Sequence, residues 1–335
     1  MGDNEEGVDE SSQVEQFESK VKDAIELATQ KSAAGRVKAL DAICTGFLKR
    51  YCPDFVENQQ MTICDLVERS LKKGIGAEVE VAARLSILLS LQLQDPEEVY
   101  KELKSLLAQI MTDKTASPVS RAAVATSLAG LCFLGGGEMA EVVTTMGVLE
   151  GIFSASYTKQ DWALPSLPPE VTALHSSCLA AWSLLLTLQS SGEVYRMANT
   201  MVTKLQGLLL SNDVDLRITA GEAIALILEF AYDYDEEFEL EDFGSLTASL
   251  KELATDSNKS RSKKDRKEQR SSFRDILRGV EEGDPPNEKV KFGQEVLYLD
   301  CWYKKLQYDW FCKVCFTIFI SNLFIVFYSS HLGQE

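Results

Sequence analysis

Arg217-Ile-Thr-Ala-Gly-Glu-Ala-Ile224 carries a frame, Arg-x-x-(Ala/Val)-x-x-(Ala/Ser)-(Ile/Leu), that the chain repeats. It returns as Arg36, Ala39, Ala42, Ile43 and as Arg121, Val124, Ser127, Leu128. Without the arginine it returns as Glu80, Ala83, Ser86, Ile87 and as Ser177, Ala180, Ser183, Leu184. Small residues three apart on a helix let a neighbouring helix approach closely, and the aliphatic residue beside them fills the groove between the two. Successive frames start 44, 41, 56 and 40 residues apart, and armadillo and HEAT units run about 40–47 residues. The spacing predicts an all-α, armadillo/HEAT-like helical solenoid. Each frame marks the inner helix of one repeat, with Arg36, Arg121 and Arg217 as framework.

The surrounding sequence agrees. Over residues 19–257 apolar residues fall at three- and four-residue spacing, with Gly, Pro, Asn and Asp between the segments and no strand alternation. Doubly wound and sandwich folds are thereby excluded. Ser117-Pro118 and Asn212-Asp213 precede two framed helices and suit an N-cap with proline in the first turn. Gly135-Gly136-Gly137 closes the Arg121 helix; it is no phosphate cradle, because no strand precedes it and no Gly-Lys-Ser/Thr follows. The long interval contains Pro165, Pro168 and Pro169, which deny residues 154–169 a helix and make them an inserted loop. Trp162 either anchors a partner there or packs the loop onto its own repeat.

Composition bounds the function. The formal net charge of −17, from 51 acids against 34 bases, argues against a surface that is basic throughout, so any nucleic-acid contact must be local. Eight scattered cysteines and no secretory signal predict reduced thiols in the cytoplasm or nucleus. His175 and His331 are the two histidines, and neither keeps metal-ligand spacing with other residues; His175 reads as a polar cap or a surface residue. Cys312-Lys-Val-Cys315 stands alone, without a second pair. Neither a catalytic fingerprint nor a cofactor or metal motif is present, and the expectation is a non-enzymatic chain.

Three segments depart from the helical middle. Residues 1–18 hold seven acids and no base, and are expected to form a mostly disordered arm. Glu229 to Asp242 interleaves acids with Phe230, Tyr232, Tyr234 and Phe238, either to dock basic segments or as a loop whose aromatics tuck into the next repeat. Immediately downstream the charge reverses: Lys259, Arg261, Lys263, Lys264, Arg266, Lys267, Arg270 and Arg274 form a basic run through 278 that could contact phosphates or serve as an import address. That break places a domain boundary near 257.

Beyond it, Ser271-Ser-Phe-Arg-Asp-Ile-Leu-Arg278, Val280-Glu-Glu-Gly283, Lys291-Phe-Gly293 and Glu295-Val-Leu-Tyr-Leu-Asp300 resemble the C-terminal motif of the interferon-related developmental regulator family. Arg36-Val-Lys-Ala-Leu40, Ser120-Arg121-Ala-Ala and Ala220-Gly-Glu-Ala223 are similar to its N-terminal region. The resemblance covers roughly residues 15–309. It implies an armadillo-like domain over 19–257, then a basic linker and short C-terminal domain over 258–309 in which Phe273, Ile276, Leu277, Phe292 and Tyr298 carry the motif. It further implies regulation without catalysis: in the first place transcriptional co-regulation through binding of regulatory proteins such as histone deacetylase complexes, and as the alternative ribosome binding and translational control with the basic run on ribosomal RNA. From about 310 to 335 the sequence leaves the family pattern. Val314 to Tyr328 is apolar over 15 residues, short of the roughly 20 that span a bilayer. This atypical tail reads as a tail anchor, an alternative end or a misassigned end, and a membrane partner is expected only if it is an anchor.

Overall fold

The computed structural model describes residues 4–136, 138–158, 164–256, 262–292 and 295–315, the side chains of 4–11, 292 and 295 excepted. Among them lie thirteen α-helices, one 3₁₀ turn and one two-stranded sheet. Two compact units divide the chain, Met1–Gly137 with Cys312–Glu335, and Glu138–Phe311.

The first unit contains α1 (Asn4–Leu27), α2 (Ala33–Lys49), α3 (Pro53–Lys73), α4 (Ala77–Gln92), α5 (Glu97–Thr112) and α6 (Pro118–Gly135). They pair in order, α1 with α2, α3 with α4 and α5 with α6, while α2, α4 and α6 stack as inner helices and α1, α3 and α5 as outer ones. The second unit repeats the scheme with α7 (Met139–Phe153), α8 (Pro169–Leu186), α9 (Ser191–Leu208), α10 (Val214–Tyr234), α11 (Phe243–Thr255) and α12 (Lys263–Glu282), whose inner stack is α8, α10 and α12. Every predicted frame lies on an inner helix, so the solenoid-like, near all-α expectation holds. The exception is a hairpin of β1 (Glu288–Phe292) and β2 (Glu295–Leu299), followed by α13 (Trp302–Cys315).

Local sequence sets the helix starts. Ser117 accepts a hydrogen bond from the Ser120 amide and Asp213 one from the Leu216 amide, with Pro118 in the first turn of α6, as expected. Each such cap contributes about 1 kcal/mol by satisfying an amide the helix cannot. Gly136 ends α6. Gly283, at φ 64°, ends α12 in the left-handed conformation a side chain would resist.

Three expectations need correction. Helix α1 runs through residues expected to be a disordered arm, because Phe17, Val21, Ala24 and Ala28 form one apolar face; Phe17 and Val21 lie against Gly46 of α2. Instead of a linker, residues 263–282 form α12, packed on α10 and α11. His175 neither caps a helix nor lies at the surface: it is 4% exposed within α8, its Nδ1 2.6 Å from the Ser156 hydroxyl. Trp162 and residues 316–335 lie outside the described residues.

Candidate functional site

The three framework arginines share one task. Arg36 donates to the backbone oxygens of Gln30 (3.2 Å) and Lys31 (2.8 Å), Arg121 to Met111 O at 2.7 Å, and Arg217 to Ser211 O. Each therefore ties the inner helix that carries it to backbone carbonyls exposed where the preceding outer helix ends, groups a helix cannot satisfy by itself. Arg36 also grips the buried Glu78 of α4 through two 2.7 Å bonds, a bidentate pairing that fixes one inner helix on the next. These are structural anchors and no ligand site.

Arg217 reaches further. It is 1% exposed and donates to Oε1 of Gln269 on α12, and the Gln269 amide donates to Leu253 O and Asp256 Oδ2. Helix α12 is consequently the next inner helix. Its own frame, Arg270-x-x-Phe273-x-x-Ile276-Leu277, keeps the spacing but puts large residues at the small positions. Gly221 on α10 accommodates them, since a Cβ there would stand 2.9 Å from both Ile276 Cδ1 and Phe273 Cε1. Phe273 and Ile276 are fully buried and Leu277 half-buried, so this part of the motif is core.

With Gln269, Phe273, Ile276 and Val280 facing inward, helical geometry assigns the bases to one flank. At about 100° per residue, Lys263, Lys267, Arg270, Arg274 and Arg278 fall within about 80° of one another, while Asp265 falls opposite and Asp275 borders the stripe at Arg278. Lys263, Lys264, Lys267 and Arg274 are exposed and Arg270 half-exposed. Of the stripe, Lys263, Lys267, Arg270 and Arg274 have no ion-pair partner among the described residues, and Arg278 pairs with Asp275 and Asp284; Lys264 lies beside the stripe. Arg266 is half-buried, and Lys259 and Arg261 lie outside the described residues. The structure thus gathers five members of the predicted run into a stripe on a helix fixed by its buried face.

The remaining motif residues do not join them. Tyr298 is 51% exposed on β2, opposite Lys289 of β1, whose ammonium lies 5.2 Å from the ring centre. Phe292 lies on β1 and its side chain falls outside the described residues. Hairpin and α13 are fastened to α10 by Glu229, whose carboxylate accepts the amides of Trp302 (2.7 Å) and Tyr303 (3.2 Å) at the N-terminus of α13. Burial raises the Glu229 pKa against the lowering effect of those two bonds. Trp302 is 3% exposed beside Gly279, where a Cβ would stand 2.7 Å from its Nε1. Lys305 bridges Asp309 (2.8 Å) and Glu288 (3.2 Å). Burial acts to lower the Lys305 pKa, yet the carboxylates outweigh it and the net shift is upward.

Sequence reasoning placed Glu229 in an acidic block and missed its capping role, which depends on a helix 73 residues away. Two of the block's aromatics pack on α9, Tyr195 lying 5.0 Å from Tyr234 and 5.4 Å from Phe238, ring centre to ring centre, while Phe230 stacks on Tyr303 of α13. Among the described residues no group of three or more His, Cys, Asp or Glu could hold a metal. All eight cysteines are free, and burial pushes the thiols of Cys44, Cys64 and Cys315 up to about 12, which leaves them protonated at neutral pH. In the inserted loop, Leu164, Pro165, Ser166 and Leu167 line a cavity of about 280 Å³ together with Ser211 and Asp213.

The model of the family described as interferon-related developmental regulator (IFRD) matches residues 1–281. The protein named interferon-related developmental regulator 1 from Sus scrofa is 43% identical over 315 residues, 93% of this chain and 70% of that protein. The Homo sapiens protein of the same name is 41% identical over 315 residues with the same coverage. Interferon-related developmental regulator 2 from Mus musculus is 40% identical over 312 residues, 92% and 71% of the two chains. Among solved structures, the crystal structure of an engineered protein aligns with TM-score 0.42 at 13% identity, covering 77% of this chain and 58% of that one.

Proposed function

The chain belongs to the interferon-related developmental regulator family, and from that membership we propose that it is a non-enzymatic regulatory scaffold that docks on a polyanion through the basic stripe of α12. The observation that carries this reading is the stripe itself: five bases, four of them without ion-pair partners among the described residues, on a helix whose buried face is locked to α10 by Gln269, Phe273 and Ile276. A helix already fixed pays no backbone ordering cost on meeting phosphates, and counterion release then makes the contact strongly salt-dependent. Of the two roles the family resemblance implies, the stripe favours ribosome binding with contacts to ribosomal RNA, in the cytoplasm. Transcriptional co-regulation through protein partners in the nucleus is the second reading, supported by a helical array of the kind that presents extended surfaces to proteins.

Cosedimentation with purified ribosomes over a salt series tests the choice. Binding that weakens steeply with salt and with Lys263, Lys267 and Arg274 changed to Glu is the expected result. Binding insensitive to both overturns the ribosomal RNA reading. Recovery of deacetylase-complex subunits by crosslinking from cells, undiminished by the same changes, would favour the second.

A further inference from the structure

Antiparallel register fixes which side chains of the hairpin share a face. Lys289 stands opposite Tyr298 and Lys291 opposite Val296, so these four project together, while Glu288, Val290, Leu297 and Leu299 project from the other side. That other side is held to the body. Leu299 is 0% exposed, Val290 and Leu297 are half-buried, and the Glu288 carboxylate lies 3.2 Å from the Lys305 ammonium of α13. The first side is open: Tyr298 is 51% and Val296 40% exposed, both lysines are exposed, and neither lysine has an ion-pair partner among the described residues. The strands therefore display two bases and a phenol ring on this face, and no acid.

Each part of that display suits one kind of ligand. An exposed aromatic ring on a sheet is a surface on which an unpaired base can stack. Lys289 and Lys291 are two residues apart, about 7 Å along the strand, which is of the order of the spacing between successive phosphates in an extended single strand. In the unliganded hairpin the Lys289 ammonium lies 5.2 Å from the centre of the Tyr298 ring. Its flexible stem lets it leave the ring to an arriving base and take a phosphate instead. A duplex meets the same face badly, because its bases are already stacked on one another. An acidic peptide could satisfy the lysines but offers Tyr298 no flat partner.

We propose that the outer face of the hairpin is a binding site for single-stranded nucleic acid, in which Tyr298 stacks on a base and Lys289 and Lys291 contact the flanking phosphates. The site lies on a different element from α12 and recognises a base as well as charge, so it does not rest on the docking reading of the basic stripe. Stacking also tells the two apart: the stripe answers to charge alone, this face only to a polyanion with free bases.

Fluorescence anisotropy with the full chain and a short labelled oligouridylate tests this, alongside inorganic polyphosphate, which has the charge without the bases, and a duplex of equal length. Tyr298→Ala should weaken oligouridylate binding about 5- to 150-fold, the span of one base–aromatic contact, and Tyr298→Phe, which keeps the ring, should bind as the parent does. Affinity for polyphosphate and for the duplex should be the same in all three. The pattern should persist when Lys263, Lys267 and Arg274 are also changed to Glu, whether or not those changes weaken binding themselves, so a failure of the α12 reading is distinct from a failure of this one. Oligouridylate binding unaffected by Tyr298→Ala overturns the site, as does an equal loss with Tyr298→Phe or on polyphosphate. Polyglutamate binding that falls with Tyr298→Ala by the same factor would make the face a protein-docking surface and overturns it too. As a second measurement, a 4-thiouridine oligomer irradiated with the parent chain should crosslink to the peptide containing Tyr298; crosslinks confined to other peptides overturn the proposal.

Discussion

The hydroxyls of Ser86 and Ser127 meet at 2.6 Å across α4 and α6, although the residues are 41 apart in sequence. Both occupy the same small position of the frame, so one repeat length becomes one contact between successive inner helices. The pair is fully buried, with Ser86 also donating to Ala83 O at 2.7 Å.

Enlarging that position should therefore unfold the first unit before the second. Ser127→Leu is expected to cost about 1–3 kcal/mol through overpacking, and Ser127→Ala about 1 kcal/mol through the lost bond, Ser86 keeping its bond to Ala83 O. Urea denaturation of both single variants and of the Ser86→Ala, Ser127→Ala pair checks this. The double variant should lose less than the sum of the singles, because the bond the two hydroxyls share is lost only once.

The Arg217–Gln269 contact supports a second prediction. Changing Gln269 to Leu leaves a guanidinium that is 1% exposed with one acceptor fewer. A loss of roughly 2 kcal/mol is expected for a buried hydrogen bond to a charged group. Lys267→Ala, two residues away on the exposed side of α12, should change stability by no more than about 0.5 kcal/mol. Equal effects of the two would mean that α12 is not held as an inner helix.

The frame at Arg217 was enough to read the solenoid because small residues at fixed spacing have few other uses on a helix. Helix α12 escaped the same reading because Phe273 and Ile276 are large. Their complement, Gly221, lies on another helix, and pairwise fit between distant segments leaves no periodic trace in either one. The stripe was legible as a composition but not as a flank, since that needed the buried face of α12 to be known. For α1 the acidic composition outweighed its apolar residues, and for His175 the partner Ser156 lies across the inserted loop.

Glu229 gives a pH dependence whose sign is fixed. Its folded pKa is raised, so between the unfolded and folded values the native state binds more protons than the unfolded one. Stability from this group is present below the unfolded carboxylate pKa, about 4.3, and is lost as pH rises through the folded value. The stability difference between the parent chain and Glu229→Gln should accordingly shift against the parent as pH rises from about 4. A difference independent of pH, measured by denaturation at intervals from pH 4 to 7, would exclude a buried ionising carboxylate at the α13 cap.

Charge reversal on α12 separates docking from folding. Lys263, Lys267 and Arg274 are exposed and make no ion pair among the described residues, so replacing all three by Glu should leave the melting temperature within a few degrees. Polyanion binding should respond differently. If about five phosphates are contacted, log affinity falls with log salt at a slope of about −3.5 to −4.5, and doubling the salt weakens binding roughly 10- to 20-fold. Each contact removed lowers the slope by about one, so the triple variant should retain a slope near −1 to −2 in titrations against a structured RNA. A slope unchanged in a variant that binds more weakly would mean that the three bases act only through long-range charge. Affinity and slope both unchanged would mean that the stripe faces no phosphate at all.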